Sequence, residues 1–272
     1  MGAVNFSLDL DLVRWFQREL GLKFFVETGT FQGDTLDSVR QIFQELHSVE
    51  LSEELHAAAV QRFAGVENIH LHQGDSARCL RTIRDAVLAS GSEGVFYWLD
   101  AHWCVADHTS GEISQCPLLE ELQAVQPLSA HDVVLVDDAR LFLAPPPPPH
   151  EISDWPDLDQ ILLALQPSAE THFLMVLNDV LIFAPRTLQK QFKTFAAGLQ
   201  KDILRTFQQA REQERWKELH DQAKAYAARL EEKTANYMDL CEQLTVLHKL
   251  LDRMEMKAAR RVSELLRGRP TR

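Results

Sequence analysis

The sequence predicts an α/β protein: a doubly wound, mostly parallel sheet with a terminal antiparallel hairpin, followed by a long C-terminal helical coiled coil. Three observations carry this. Short β-branched or aromatic runs alternate with helical patterns up to about Pro185, the interleaving that a parallel sheet with helical crossovers requires. The last two apolar runs, THFLMVL and VLIFAP, are separated only by Asn178–Asp179. From Arg186 to Arg269 there is no proline and the spacing becomes helical. The expected division is a folded head over 1–185 and a helical tail over 186–272.

The candidate strands are KFFVET (23–28), LHSVEL (46–51), NIHLHQ (68–73), GVFYWLD (94–100) and HDVVLVD (131–137). Amphipathic stretches lie near 34–44, 52–63, 76–89 and 117–126, so each parallel pair is joined by a right-handed crossover. Asn178–Asp179 fits a tight hairpin turn, because both residues tolerate the left-handed backbone such turns need. Pro145–Pro149 cannot sit inside a helix or sheet and reads as a stiff surface connector. In the tail, an a/d series runs from Trp216 through Leu219, Ala223, Tyr226, Leu230 and Lys233, then from Tyr237 through Leu240, Leu244, Leu247 and Leu251 to Met254. Lys233 is its only charged member. An isolated helix cannot bury such a seam, so a coiled coil joining copies of the chain is expected. Upstream, Leu188, Phe192, Phe195, Leu199, Ile203 and Phe207 form a broader stripe that either docks on the head or starts the bundle.

Composition removes several functional classes. With 45% apolar and 25% charged residues, the chain is neither disordered nor fibrous. No run of about 18 apolar residues is present to span a membrane as a helix. The opening residues carry acids where a secretory peptide needs an apolar stretch. Cys79, Cys104, Cys116 and Cys241 form no CxxC pair, which suits a reducing, cytoplasmic setting. The net charge of −12 conceals a division: residues 185–272 hold 19 Lys and Arg against 12 Asp and Glu, whereas residues 1–184 hold 9 against 28. A head that acidic repels phosphate backbones, so nucleic acid is not its expected substrate.

The first strand runs into Glu27-Thr28-Gly29-Thr30-Phe31-Gln32-Gly33-Asp34, an acid followed by G-x-x-x-G at a strand-to-helix turn where backbone approaches a ligand closely. Glu27 can accept from an ammonium group above that turn. Glu50 ends the second strand, 21 residues after Gly29, where an acid can accept from both hydroxyls of a ribose. Gly74-Asp75-Ser76 follows the third strand; its carboxylate can accept from an adenine amino group, or cap the next helix. The fourth strand ends in Asp100-Ala101-His102-Trp103 and the fifth in Asp137-Asp138-Ala139-Arg140. Three carboxylates brought together repel unless a cation or protons intervene, and oxygen-only ligands suit Mg²⁺ or a similar hard ion.

The succession FFVETGTFQGDT, HSVEL, HQGDS and WLDAHW resembles the class I S-adenosylmethionine-dependent methyltransferases, over about residues 20–184. The resemblance implies a Rossmann-like sheet and the final hairpin. It implies that Glu27, Thr28, Gly29 and Gly33 hold the methionine end of S-adenosyl-L-methionine, Glu50 the ribose, and Asp75 with Ser76 the adenine side. Asp100, Asp137 and Asp138 match the acids of metal-dependent O-methyltransferases of the catechol and macrolide-sugar kind, which implies Mg²⁺ or a similar divalent cation. A metal-bound diol is acidified toward a nucleophile, and His102 is the candidate general base beside catalytic Asp100. The catechol enzymes have a lysine after their His-Trp; here Cys104 follows Trp103.

Residues 104–115 are polar and contain Gly111, which reads as a lid. His102, Cys104, His108 and Cys116 match no standard zinc spacing. Trp103 and Trp155 can pack against a sugar or within the core, and Arg140 can pair with a substrate acid or neighbouring carboxylates. WLDAHW, VDDARLF and the PPPPPH…WP connector resemble bacterial methyltransferases of surface-polysaccharide or sugar tailoring. The expectation is therefore a metal-assisted O-methyltransferase acting on a hydroxyl of a sugar, glycan or other small molecule, homo-oligomeric through its tail. Two alternatives stand beside it. One is a nucleotide-dependent Rossmann enzyme, which lacks its third glycine here. The other is a non-catalytic cofactor-binding scaffold whose coiled coil organises partner enzymes.

Overall fold

Five strands run parallel: β1 (Phe24–Thr28), β2 (Glu45–Glu50), β3 (Ile69–Gln73), β4 (Val95–Leu99) and β5 (Val133–Val136). The hairpin of β6 (His172–Leu177) and β7 (Val180–Pro185) closes the sheet, with β7 antiparallel to β5. The order is β3-β2-β1-β4-β5-β7-β6, so the strand order reverses between β1 and β4, where doubly wound sheets bind ligands. Asn178 and Asp179 turn the hairpin with φ of 49° and 74°, as their residue types foretold. The structure, a computed structural model, describes residues 8–102, 114–200 and 203–267; Trp103, Cys104, His108 and nearly all of the expected lid lie outside the described residues. The chain divides into two units, Met1–Lys201 and Asp202–Arg272.

Helices cover both faces of the sheet in the first unit: α1 (Leu10–Leu20), α2 (Asp34–Val39), α3 (Glu53–Arg62), α4 (Ser76–Ala89), α5 (Leu118–Val125), α6 (Arg140–Leu143), α7 (Leu158–Leu165) and α8 (Gln189–Leu199). One core layer packs Leu80, Leu122 and Ile161 from α4, α5 and α7 against Val26, Tyr97 and Val134. The other packs Phe16, Leu36 and Phe192 from α1, α2 and α8 against Phe25, Phe96 and Leu135. Alternate residues of each strand thus serve opposite layers, which is why these strands read as continuous apolar runs.

Two helices extend what periodicity suggested. α1 forms from the segment whose acids only argued against a secretory peptide. Asp9 caps it by accepting from the Asp11 and Leu12 amides, Gly21 ends it at φ 64°, and Leu12, Val13, Trp15 and Phe16 are buried. α8 brings Phe192 into the same layer, where it stacks on Phe16 at 4.9 Å, while Phe195 stacks on Trp15 at 5.1 Å. The upstream part of the tail's apolar stripe therefore belongs to the first unit, although the proline-free run begins before it.

Among its described residues the second unit is one helix, α9 (Ile203–Arg267), of 65 residues. Its a/d side chains lie exposed along its length, Trp216 at 71% and Tyr237 at 70%. Among the described residues, no helix is long and apolar enough to cross a membrane.

Candidate functional site

The carboxyl ends of β1, β2 and β4 lie side by side, with Thr28 in register with Val49 and Leu99. Gly29, just past β1, sits at φ 81°, and a Cβ there would stand 2.3 Å from the Asp100 carbonyl oxygen. Its glycine is therefore required by the chain's own backbone as it crosses the switch point, in addition to any ligand. Gly33 begins α2 at φ 80°, and its Cβ would lie 2.7 Å from the Phe63 ring.

Glu27 is 1% exposed. One oxygen accepts from the Ser48 hydroxyl at 2.6 Å, and Ser48 in turn shares a 2.6 Å hydrogen bond with Thr30. The other oxygen, Oε2, has no partner. Burial pushes the carboxyl up to about 8, with Ser48 opposing and the nearby Asp100 and Glu50 adding to the rise. A buried acid with an open oxygen is a receptor for a cation or a donor. Glu50 is held at both oxygens by backbone amides, Oε2 by Phe31 at 2.8 Å and Oε1 by Ser52 at 2.9 Å. It therefore ties the loop after β1 to the end of β2. Asp75 caps α4 by accepting from the Arg78 amide at 2.9 Å, so the capping alternative is realised in this geometry.

Glu121 of α5 is a further buried acid near Asp100, outside the motifs read from the sequence. It is 1% exposed, lies near the Ser76 and Thr28 hydroxyls, and its Oε1 is without a partner. Burial raises its carboxyl to about 7, against those two hydroxyls. The signal was legible: in LLEELQAV, Glu121 shares the helix face of Leu118, Leu122 and Val125, where an acid does not belong without a reason. Thr28 accepts from the Asp100 amide at 3.2 Å, which ties the end of β1 to the end of β4.

The other half of the site joins β4 to β5. His102 Nε2 lies 3.0 Å from Asp138 Oδ2 and Nδ1 lies 3.6 Å from Asp100 Oδ1. Burial alone would discharge this imidazole, but the Asp138 hydrogen bond and the charges of Asp100, Asp138 and Asp137 outweigh it and raise it to about 9. Asp138, at φ 55°, also accepts from Arg140 at 2.5 Å, and Arg140 bonds Asp179. Asp138 is held below the usual carboxylate range by His102 and Arg140 despite its burial. Burial and neighbouring acids push Asp137 up, and burial raises Asp100, with His102 opposing. Asp137 accepts from the Asp138 amide at 2.8 Å. Trp155 is buried against His102 and Phe142, at 5.4 and 5.7 Å, so it packs within the core.

The structure thus gathers Asp100, Asp137 and Asp138 as the spacing implied. As arranged they do not fit a divalent cation. Asp138 is already engaged by an imidazole and a guanidinium, and among the described residues no group of three or more His, Cys, Asp or Glu side chains is disposed to hold a metal ion. The positive charge beside these acids comes from His102 and Arg140.

Sheet order and terminal hairpin together decide the fold. It is that of the class I methyltransferases. No family model matches the chain, and no curated protein matches it. Solved structures similar to this methyltransferase fold include a candidate caffeoyl-CoA O-methyltransferase from Staphylococcus aureus (14% identity, TM-score 0.43, covering 67% of this chain and 85% of that one). Another is the sugar N-methyltransferase KedS8 from Streptoalloteichus sp ATCC 53650 (14%, TM-score 0.42, covering 68% and 90%). A third is an rRNA methylase from Streptococcus thermophilus (12%, TM-score 0.38, covering 67% and 99%).

Proposed function

We propose that this chain is an S-adenosylmethionine-dependent O-methyltransferase acting on a hydroxyl of a sugar, glycan or other small molecule. The observation that carries the reading is the buried carboxyl of Glu27, with Oε2 unpartnered, at the switch point between Glu50 and Asp100. These residues fit the group. Glu27 takes the ammonium and regains its charge, Glu50 presents the remaining lone pairs of two fixed oxygens to the ribose, and Asp75 with Ser76 flanks the base. When bound, S-adenosylmethionine supplies an electrophilic methyl group on a sulfonium.

Asp100 borders this site at the end of β4, with its side chain 33% exposed. Raised to about 6 by burial, it is suited to take the acceptor's hydroxyl proton as the methyl arrives. His102 is the imidazole expected as base, but in its charged state it donates to Asp138 and lies beside Asp100. In this reading it positions Asp100 and offsets the neighbouring acids, while Arg140 fixes Asp138. The acidic head turns anionic acceptors away, which favours neutral hydroxyl compounds. Residues 1–185 supply this chemistry, and the exposed seam of the tail joins copies as a coiled coil.

Calorimetry with S-adenosylmethionine tests the reading. Wild type should bind, and Glu50→Ala should lose at least tenfold in affinity. Release of S-adenosylhomocysteine over a panel of sugar and phenol acceptors should persist in EDTA. Turnover that needs added Mg²⁺ would return Asp100, Asp137 and Asp138 to a metal-binding role, and a wild type that binds no S-adenosyl compound would remove the proposal.

A further inference from the structure

The seam of α9 is two different halves. From Trp216 to Lys233 it is irregular, with a very large residue at Trp216, a small one at Ala223 and a charge at Lys233. From Tyr237 to Met254 it is a tyrosine followed by leucines and a methionine. All of it lies exposed on one uninterrupted helix. In a parallel, in-register pair each seam residue meets its own copy. Lys233 would then face Lys233, Ala223 would face Ala223, and Trp216 would face Trp216. That places like charges together and alternates a void with a bulge.

Reversing one helix removes all three conflicts, because position a then faces position d of the other chain. The register that overlaps the whole seam sets Lys233 against the partner's Tyr237, where a cation can lie over a ring. It sets Ala223 against the partner's Leu247, small against large. It sets Trp216 against the partner's Met254, whose unbranched side chain adapts to an irregular neighbour. A shift of one heptad in either direction brings Glu212 or Arg261 opposite an apolar seam residue. The halves of one chain complement each other about the midpoint, near residue 235, and a second copy supplies that match by symmetry.

We propose that α9 pairs with a second copy of itself as an antiparallel two-stranded coiled coil, with its two-fold axis between the Lys233–Tyr237 pairs. This rests on the coiled-coil reading of the tail and adds the number of strands, the direction and the register. The flanking residue Ala227 then lies beside the partner's Cys241, which is exposed. Along one helix the same two positions are 14 residues, about 21 Å, apart, so neither a parallel pair nor a single chain brings them together.

The test uses the full-length chain. Sedimentation equilibrium should give a dimer. Ala227→Cys, treated with a short bismaleimide, should give a cross-linked dimer whose peptides join positions 227 and 241. Asn236→Cys should give no link from 236 to 241, the pair that a parallel coil would bring together. A dimer linked from 236 to 241, or one without the 227–241 link, overturns the direction or register while leaving the coiled coil standing. A chain that remains monomeric at micromolar concentration, or forms a trimer or tetramer, overturns the inference at its base.

Discussion

Glu27 is where burial, charge and a proposed ligand meet in one residue, and its titration separates them. Its carboxyl is pushed from 4.5 to about 8 by burial. Between those values the folded protein holds a proton that the unfolded chain has lost. The contribution to stability is therefore full below about 4.5 and is lost as pH rises through 8. The free protein should lose up to about 1.4 kcal/mol per pH unit across that window from this group, and Glu27→Gln should flatten the slope measured by urea unfolding. Binding of a cationic ammonium reverses the preference. At pH 7 wild type should release close to one proton on taking S-adenosylmethionine, read as different calorimetric heats in phosphate and Tris. Glu27→Gln should show no such difference. Equal heats for wild type would place the ammonium elsewhere.

Among the elements, α8 shows packing choosing between two outcomes that sequence patterning left open, docking on the head or starting the bundle. Phe192 is fully buried among Phe16, Trp15 and Phe173, so Phe192→Ala should cost about 3–5 kcal/mol, measured by urea unfolding. A chain ending at Arg186 should be destabilised for the same reason, whereas one ending at Gln200 should keep its unfolding midpoint. A change of less than about 1 kcal/mol in Phe192→Ala would contradict this packing. The strands and the Asn178–Asp179 turn were legible because short continuous apolar runs between helical patterns, and residues that tolerate left-handed backbone, leave local marks. The loss of proline at 186 marked a change of secondary structure, which need not coincide with a change of packing partner. Glu27, Glu50 and Asp100 were legible because they end strands. Their surroundings were not: that His102 and Arg140 both bind Asp138, and that Glu121 reaches Thr28 and Ser76, follow from contacts between distant segments. Even Gly29 carried two messages under one letter, since the Asp100 carbonyl excludes its Cβ as firmly as a ligand would.

At the scale of the whole molecule, the sequence is two objects of opposite charge, and the proposal gives them separable duties. Every proposed cofactor residue, from Glu27 to Ser76, lies in Met1–Lys201, and the exposed seam lies wholly in Asp202–Arg272. If the tail only joins copies, removing it changes assembly and leaves binding alone. If the tail completes the site, the same cut weakens binding in proportion. A chain of residues 1–200 should therefore be a monomer by sedimentation and bind S-adenosylmethionine within about twofold of full length. Its surplus of acids should leave duplex DNA unshifted in a gel at low salt, where nonspecific electrostatic binding is strongest. Residues 201–272, with 16 Lys and Arg against 12 Asp and Glu, make full length the informative contrast in that gel: a shift there and none for 1–200 assigns the contact to that segment. Binding that falls tenfold or more on truncation would mean that the second unit, or a second copy brought by it, contributes to the site.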